Sequence, residues 1–114
     1  MRKKIVKEIA IYTYNFVSAT LDLRNEPEFK VCKLKPHNRG MIVCYDAVED
    51  QPERIIIKIS SRRGENETVK DVISTTLHEL VHQYQFENSL PVEHNTLFAE
   101  MARDILVSYG IDIN

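Results

Sequence analysis

Helical periodicity at both ends of the chain, strand-like alternation in the middle and one charged motif inside a helical pattern predict an α+β fold. Apolar residues recur at helical spacing over residues 4–22, three short β-type runs follow between 29 and 59, and two further helical patterns fill roughly 69–86 and 92–109. With 114 residues, 43% of them hydrophobic and 28% charged, the chain suits a single soluble domain spanning 1–114. The expected architecture is an N-terminal helix, a three-stranded antiparallel-type sheet, a motif helix and a C-terminal helix.

The first helix has Ile5, Ile9, Tyr12, Phe16 and Thr20, flanked by Val6, Val17 and Leu21, as its expected core stripe. Arg24-Asn25-Glu26-Pro27 ends it, because proline disfavours helical geometry in the residue before it. Met1-Arg2-Lys3-Lys4 superficially resembles the start of a signal peptide, but Lys7 and Glu8 interrupt the apolar run, so an amphipathic helix is expected instead. No stretch approaches the roughly 20 apolar residues of a membrane span. The expectation is an intracellular, cytoplasmic monomer with no membrane association. A net charge of −2 makes no global electrostatic case for nucleic acid.

Phe29–Leu34 and Met41–Tyr45 flank the turn-like His37-Asn38-Arg39-Gly40 and are expected to pair as a hairpin. Ile55, Ile57 and Ile59 alternate with Arg54, Lys58 and Ser60, describing a strand with one buried face, although Ile56 breaks the polar side. Cys32 and Cys44 would fall roughly opposite each other in the hairpin. Two cysteines cannot build a four-thiolate site, and in a cytosolic chain they are expected to be structural thiols.

After a polar loop over 60–67, Thr68-x-x-Asp71 forms a capping-box pattern that opens the next helix near Val69. That helix carries His78-Glu79-Leu80-Val81-His82, a His-Glu-x-x-His motif. Residues four apart lie one above the other on a helix, so both imidazoles can reach a single point. A zinc ion there would take a nitrogen from each at about 2.0–2.1 Å and leave room for a third ligand and a water. Glu79 is placed as general base toward that water, whose pKa the metal would lower from about 15.7 toward 7. At about 100° per residue, Ile73, Leu77, Leu80, Val81 and Tyr84 cluster on the core side, with Thr75, His78 and His82 nearly opposite. Asp71 and Phe86 share the histidine side, which is expected to line a cleft.

A third ligand is needed for a catalytic site. Glu87 follows the expected helix end, whereas Glu93 and Glu100 lie roughly 120–140° from the centre of the last helix's apolar face. That face carries Leu97, Phe98, Met101, Ala102, Ile105 and Tyr109, with Gly110 as its stop. His94 sits at the head of the same face, just after the reversal at Glu87–Pro91, and is the expected ligand.

The motif at 78–82 followed by Glu93-His94-Asn95-Thr96-Leu97-Phe98 resembles the SprT-like metalloprotease domain. That family pairs His-Glu-x-x-His with a third histidine in a Gly-His-Gly-x-x-Phe-like segment. Here Glu93 and Asn95 replace the glycines, while His94 and Phe98 keep their spacing. The resemblance implies a minimal zincin-like fold, zinc on His78, His82 and His94, and Glu79 as general base. It also implies a protein or peptide substrate, with family members acting on proteins bound or crosslinked to DNA. Metzincins and the related three-histidine endoribonucleases need histidine where this chain has Asn88. The resulting expectation is a zinc metalloendopeptidase. The alternative is a non-catalytic, zinc-stabilised module that binds DNA or protein through Lys30, Lys33, Lys35, His37, Arg39 and Arg62-Arg63.

Overall fold

Ile55, Ile56 and Ile57 are all buried, and a strand that buries consecutive residues has both faces covered and belongs in the middle of a sheet. The computed structural model, which describes all 114 residues, has that arrangement. Its elements are α1 (Lys3–Val17), β1 (Glu28–Cys32), β2 (Gly40–Tyr45), β3 (Arg54–Ser60), α2 (Val69–Glu87) and α3 (Thr96–Tyr109). The α+β class and the succession of one helix, three strands and two helices are as expected. The sheet order is β1-β3-β2, with β3 central.

Two expectations about the sheet are overturned. The sheet is mixed rather than antiparallel, because β1 runs parallel to β3 with Phe29 opposite Ile57, while β2 runs antiparallel to β3 with Ile42 opposite Ile57. There is also no β1–β2 hairpin; the antiparallel neighbours in sequence are β2 and β3, joined through a turn in which Val48 and Gln51 bridge. The physical cause is the isoleucine run. Ile57 and Ile59 join the main core, and Ile56 is buried on the opposite face between its register partners Glu28 and Val43. The two outer strands carry the more exposed residues and occupy the edges. Cys32 and Cys44 therefore lie on different edge strands with β3 between them, and both thiols are free. Burial, helped by Asp46, raises the Cys44 thiol to about 11, so it stays protonated at neutral pH.

α1 also turns a different face inward than its pattern suggests. Val6, Ala10, Thr13 and Val17 are buried, whereas Tyr12 and Phe16 are 76% and 73% exposed. The inward face is rotated by about one residue, roughly 100°. Small Ala10 and Thr13 let the α1 backbone approach its neighbours closely, and the Thr13 hydroxyl is satisfied within the helix by donating to Ile9 O at 2.8 Å. The helix ends at Val17 rather than near 22; Leu21 N and Leu23 N close turns onto Val17 O and Ser18 O, with Asp22 at φ 54°.

α2 packs against α1, β2 and β3 and is buried almost all round from Val72 to Glu87. Its capping box forms as expected, Asp71 N donating to Thr68 Oγ1 at 3.1 Å and Thr68 N to Asp71 Oδ2 at 3.3 Å. Glu87, at its last turn, is a buried carboxylate that accepts from Arg24 N, Asn25 N, Asn25 Nδ2 and Gln83 Nε2 at 2.6–3.1 Å. It anchors the α1–β1 connection onto α2. No helix is long and apolar enough to cross a membrane.

Candidate metal centre

His78 and His82 rise from the middle of α2, one turn apart, and the segment leading into α3 delivers the third histidine. The last helix begins later than its periodicity suggests, at Thr96 rather than near Val92, because Asn95 caps it by accepting Phe98 N at 3.1 Å. His94 thus stands in the bend just before the cap instead of on the helix face. It reaches the same place by a different route. Its Nε2 lies 3.0 Å from Nε2 of His78 and 3.2 Å from Nε2 of His82. Beneath them Phe98 is buried, its ring centroid 4.8–4.9 Å from all three imidazoles, so one aromatic side chain forms the floor of the cluster.

The outer nitrogens decide the tautomers. His78 Nδ1–H donates to the Ile113 carbonyl at 2.6 Å. His82 Nδ1–H donates to Gln85 Oε1 at 2.8 Å. The orientation of that amide is fixed by its other end, since Gln85 Nε2 donates to Glu93 O at 2.9 Å and Asn95 Oδ1 at 3.2 Å. Both Nε2 atoms are left with lone pairs facing inward, the state a metal requires. Burial, before any other cause, lowers the pKa of His78 and of His82 and keeps both rings neutral; Arg39 adds a small push in the same direction at His78. Three imidazole nitrogens so placed could bind a metal ion.

Glu79 points to the same cleft from beside His78. It is 4% exposed, and its Oε2 is buried with no hydrogen-bond partner. Burial raises its pKa to about 7. An unpartnered buried carboxylate oxygen costs stability where it stands, and groups of this kind concentrate at functional sites. Beside it, Gly40 has no room for a side chain: a Cβ there would lie 2.7 Å from Thr75 Cγ2 and 3.3 Å from Glu79 Cγ. The start of β2 is held this close by Asn66, whose Nδ2 donates to Arg39 O and Ser60 O and whose Oδ1 accepts from Thr75 Oγ1.

The resulting cleft, about 260 Å³, is lined by His37–Gly40, Thr75, His78, Glu79, His94 and the chain end at Ile113–Asn114. Of the carboxylates weighed as ligands, Glu87 is committed to the α1–β1 connection, and Glu93 and Glu100 are exposed and outside the histidine cluster. Three contributors have no counterpart in the sequence reading. Gln85 is one; its signal was the i, i+3 spacing from His82. Asn95 is another, as the cap that stops the helix short of His94. The Ile113 carbonyl is the third, brought in by the last residues as Ser74 Oγ donates to Asp112 O at 2.6 Å, and nothing local marks it. No known protein family, curated protein or solved structure matches the chain.

Proposed function

We propose that the chain is a zinc-dependent metallopeptidase, of the kind its motif resembles in the SprT-like family. One observation carries the reading: three imidazole Nε2 atoms converge beside a buried carboxylate with a free oxygen, in a cleft open to a substrate. The fit to zinc is good on geometry. Tetrahedral zinc with nitrogens at about 2.0–2.1 Å places them about 3.3 Å apart, against the 3.0 and 3.2 Å found here. All-nitrogen donors also suit zinc better than magnesium or calcium, which take oxygen.

His78, His82 and His94 would hold the ion, and Gln85 and the Ile113 carbonyl would hold two of those rings in place. Bound zinc supplies a Lewis acid for the substrate carbonyl and eases deprotonation of a water. Glu79 would take the proton from a water attacking the peptide carbonyl and pass it to the nitrogen as the C–N bond breaks. Its burial favours this role, because a carboxylate with a raised pKa is the stronger base and releases the proton again near neutrality.

A structural zinc site, as in the non-catalytic alternative, is closed by four protein ligands. Here the metal-binding group has three members, and the fourth side opens to the cleft. Three of the basic residues that could contact DNA have separate engagements: Lys30 pairs with Glu28, Arg62 Nε donates to Leu34 O, and Arg39 lines the cleft. A polypeptide substrate is therefore the favoured one.

The test compares zinc content with cleavage of an unstructured protein. The zinc-loaded chain should cleave it, lose activity to a chelator and regain it with zinc. Glu79→Gln should retain zinc and lose roughly 10²–10⁴-fold in rate, the usual worth of a general base. His94→Ala should lose zinc, and Glu100→Ala should not. A fully zinc-loaded wild type without activity, or an active Glu79→Gln, would defeat the reading.

A further inference from the structure

The cleft beside the histidines is lined by one arginine, and the peptidase reading leaves it without a task. Arg39 makes no salt bridge, although acidic residues outnumber basic ones in the chain by 17 to 15. Its side chain reaches over α2, where one terminal nitrogen lies 3.5 Å from Ser74 Oγ and 3.4 Å from Thr75 Oγ1. Both contacts are at the long limit of a hydrogen bond, and both use the same nitrogen. A guanidinium has five N–H donors, so most of its capacity faces the cleft unused. The only carboxylate side chain among the lining residues is Glu79, which is buried and needed for chemistry.

We infer that Arg39 is a specificity-determining residue that receives an acidic side chain of the substrate polypeptide, flanking the bond to be cleaved. This rests on the peptidase reading above. The position follows from the helix. Ser74 and Thr75 each precede a site residue, His78 and Glu79, by four positions, about 6 Å along the α2 axis. An extended substrate advances about 3.3–3.6 Å per residue. A substrate lying along α2 would bring to Arg39 a group one or two residues from the bond cleaved at the histidines. A planar guanidinium with free parallel donors suits a carboxylate, which it can bind through two hydrogen bonds. The neighbouring His37, Asn38 and Asn114 are polar and add no competing negative side chain. A nucleic acid backbone, by contrast, is followed by several cations in a row, and Arg39 is the single lysine or arginine lining the cleft.

The experiment digests a mixture of peptides with acidic, neutral and basic residues around each potential cleavage site, using the zinc-loaded wild type, Arg39→Ala, Arg39→Glu and Arg63→Ala. Mass spectrometry reads the cut positions. The wild type should cut preferentially within two residues of Asp or Glu. For matched peptides carrying Asp or its neutral isostere Asn, kcat/KM should differ roughly 10- to 100-fold, the worth of a charge-assisted hydrogen bond. Arg39→Ala should erase this preference, Arg39→Glu should turn it toward Lys and Arg, and Arg63→Ala should keep it. A preference that survives Arg39→Ala, or a wild type indifferent to Asp and Asn, overturns the inference.

Failure of the peptidase reading would look different, since no peptide would be cut at all. Binding then decides. Fluorescence anisotropy with labelled Asp and Asn peptides on zinc-loaded Glu79→Gln should show roughly tenfold tighter binding of the Asp form, lost when Arg39→Ala is added. Equal binding overturns the inference. So does displacement of the Asp peptide by a short DNA duplex whose own binding depends on Arg39, since that would make the position a phosphate site.

Discussion

Gln85 gives the sharpest test of how this centre is held together. Its amide is fully buried and makes three hydrogen bonds, one to the second histidine and two to the segment that carries the third. Replacing it by leucine keeps the volume and removes all three. The losses are unequal. Asn95 Oδ1 keeps its bond from Phe98 N, and the Glu93 carbonyl belongs to an exposed residue that water can serve. His82 Nδ1–H, on a ring 6% exposed, has no substitute. One orphaned buried donor costs about 1–3 kcal/mol, a fall in Tm of roughly 4–15 °C for a domain of this size. The larger consequence is at the metal. Once Gln85 no longer fixes tautomer and ring orientation, zinc affinity should fall about 10–100-fold. Competition against a chromophoric chelator measures that directly, and melting of the metal-free protein gives the stability cost. Gln85→Leu that is folded yet binds zinc within threefold of wild type would refute the argument, because the ring would then be oriented by something else.

The remaining expectations concern packing and charge. Gly40→Ala should cost about 1–3 kcal/mol by overpacking against Thr75 and Glu79, and denaturant unfolding should show it even without metal. Ala10→Leu should destabilise by a similar amount, because that side chain is completely buried, while Phe16→Ser on the exposed face should stay within about 0.5 kcal/mol; the opposite order would restore the face read from the pattern. Removing Ile113 and Asn114 takes away the acceptor of His78 Nδ1 and should weaken zinc binding about 10–100-fold, detectable in the same chelator competition. Hydrogen bonds from Asn25 and then Arg24 hold the Glu53 carboxyl below its ordinary value of 4.5. Its folded pKa is depressed, so its contribution is present above pH 4.5 and fades as pH falls through the folded value. Glu53→Gln should flatten that acid limb of the stability curve by lowering stability slightly at neutral pH while leaving it nearly unchanged at low pH.

Local signals in this chain speak about single elements, and they spoke well where a side chain's role depends on its own helix. Thr68 and Asp71 announced a helix start because a capping box is complete within four residues. His78, Glu79 and His82 announced their geometry because helical spacing alone stacks i and i+4. His94 was legible too, though for an incomplete reason. Its place was argued from a helix face, and the chain brings it in from the turn before Asn95. Only the tertiary structure decided which of two apolar faces α1 buries, since Ile5-Tyr12-Phe16 and Val6-Ala10-Thr13-Val17 both obey the helical period. The choice lies with how closely the neighbouring elements can approach. The same holds for the sheet. The alternation of Ile55, Ile57 and Ile59 read as one buried face, whereas Ile56 is buried too, and the partners of β3 and the parallel sense of β1 have no local signature at all. The supports of the centre, Ile113 O for His78 and Gly40 against Glu79, join residues 35 and 39 positions apart. A backbone carbonyl has no sequence signature, and a glycine required by a distant neighbour looks like any other. Contacts of that kind exist only once the chain has closed on itself.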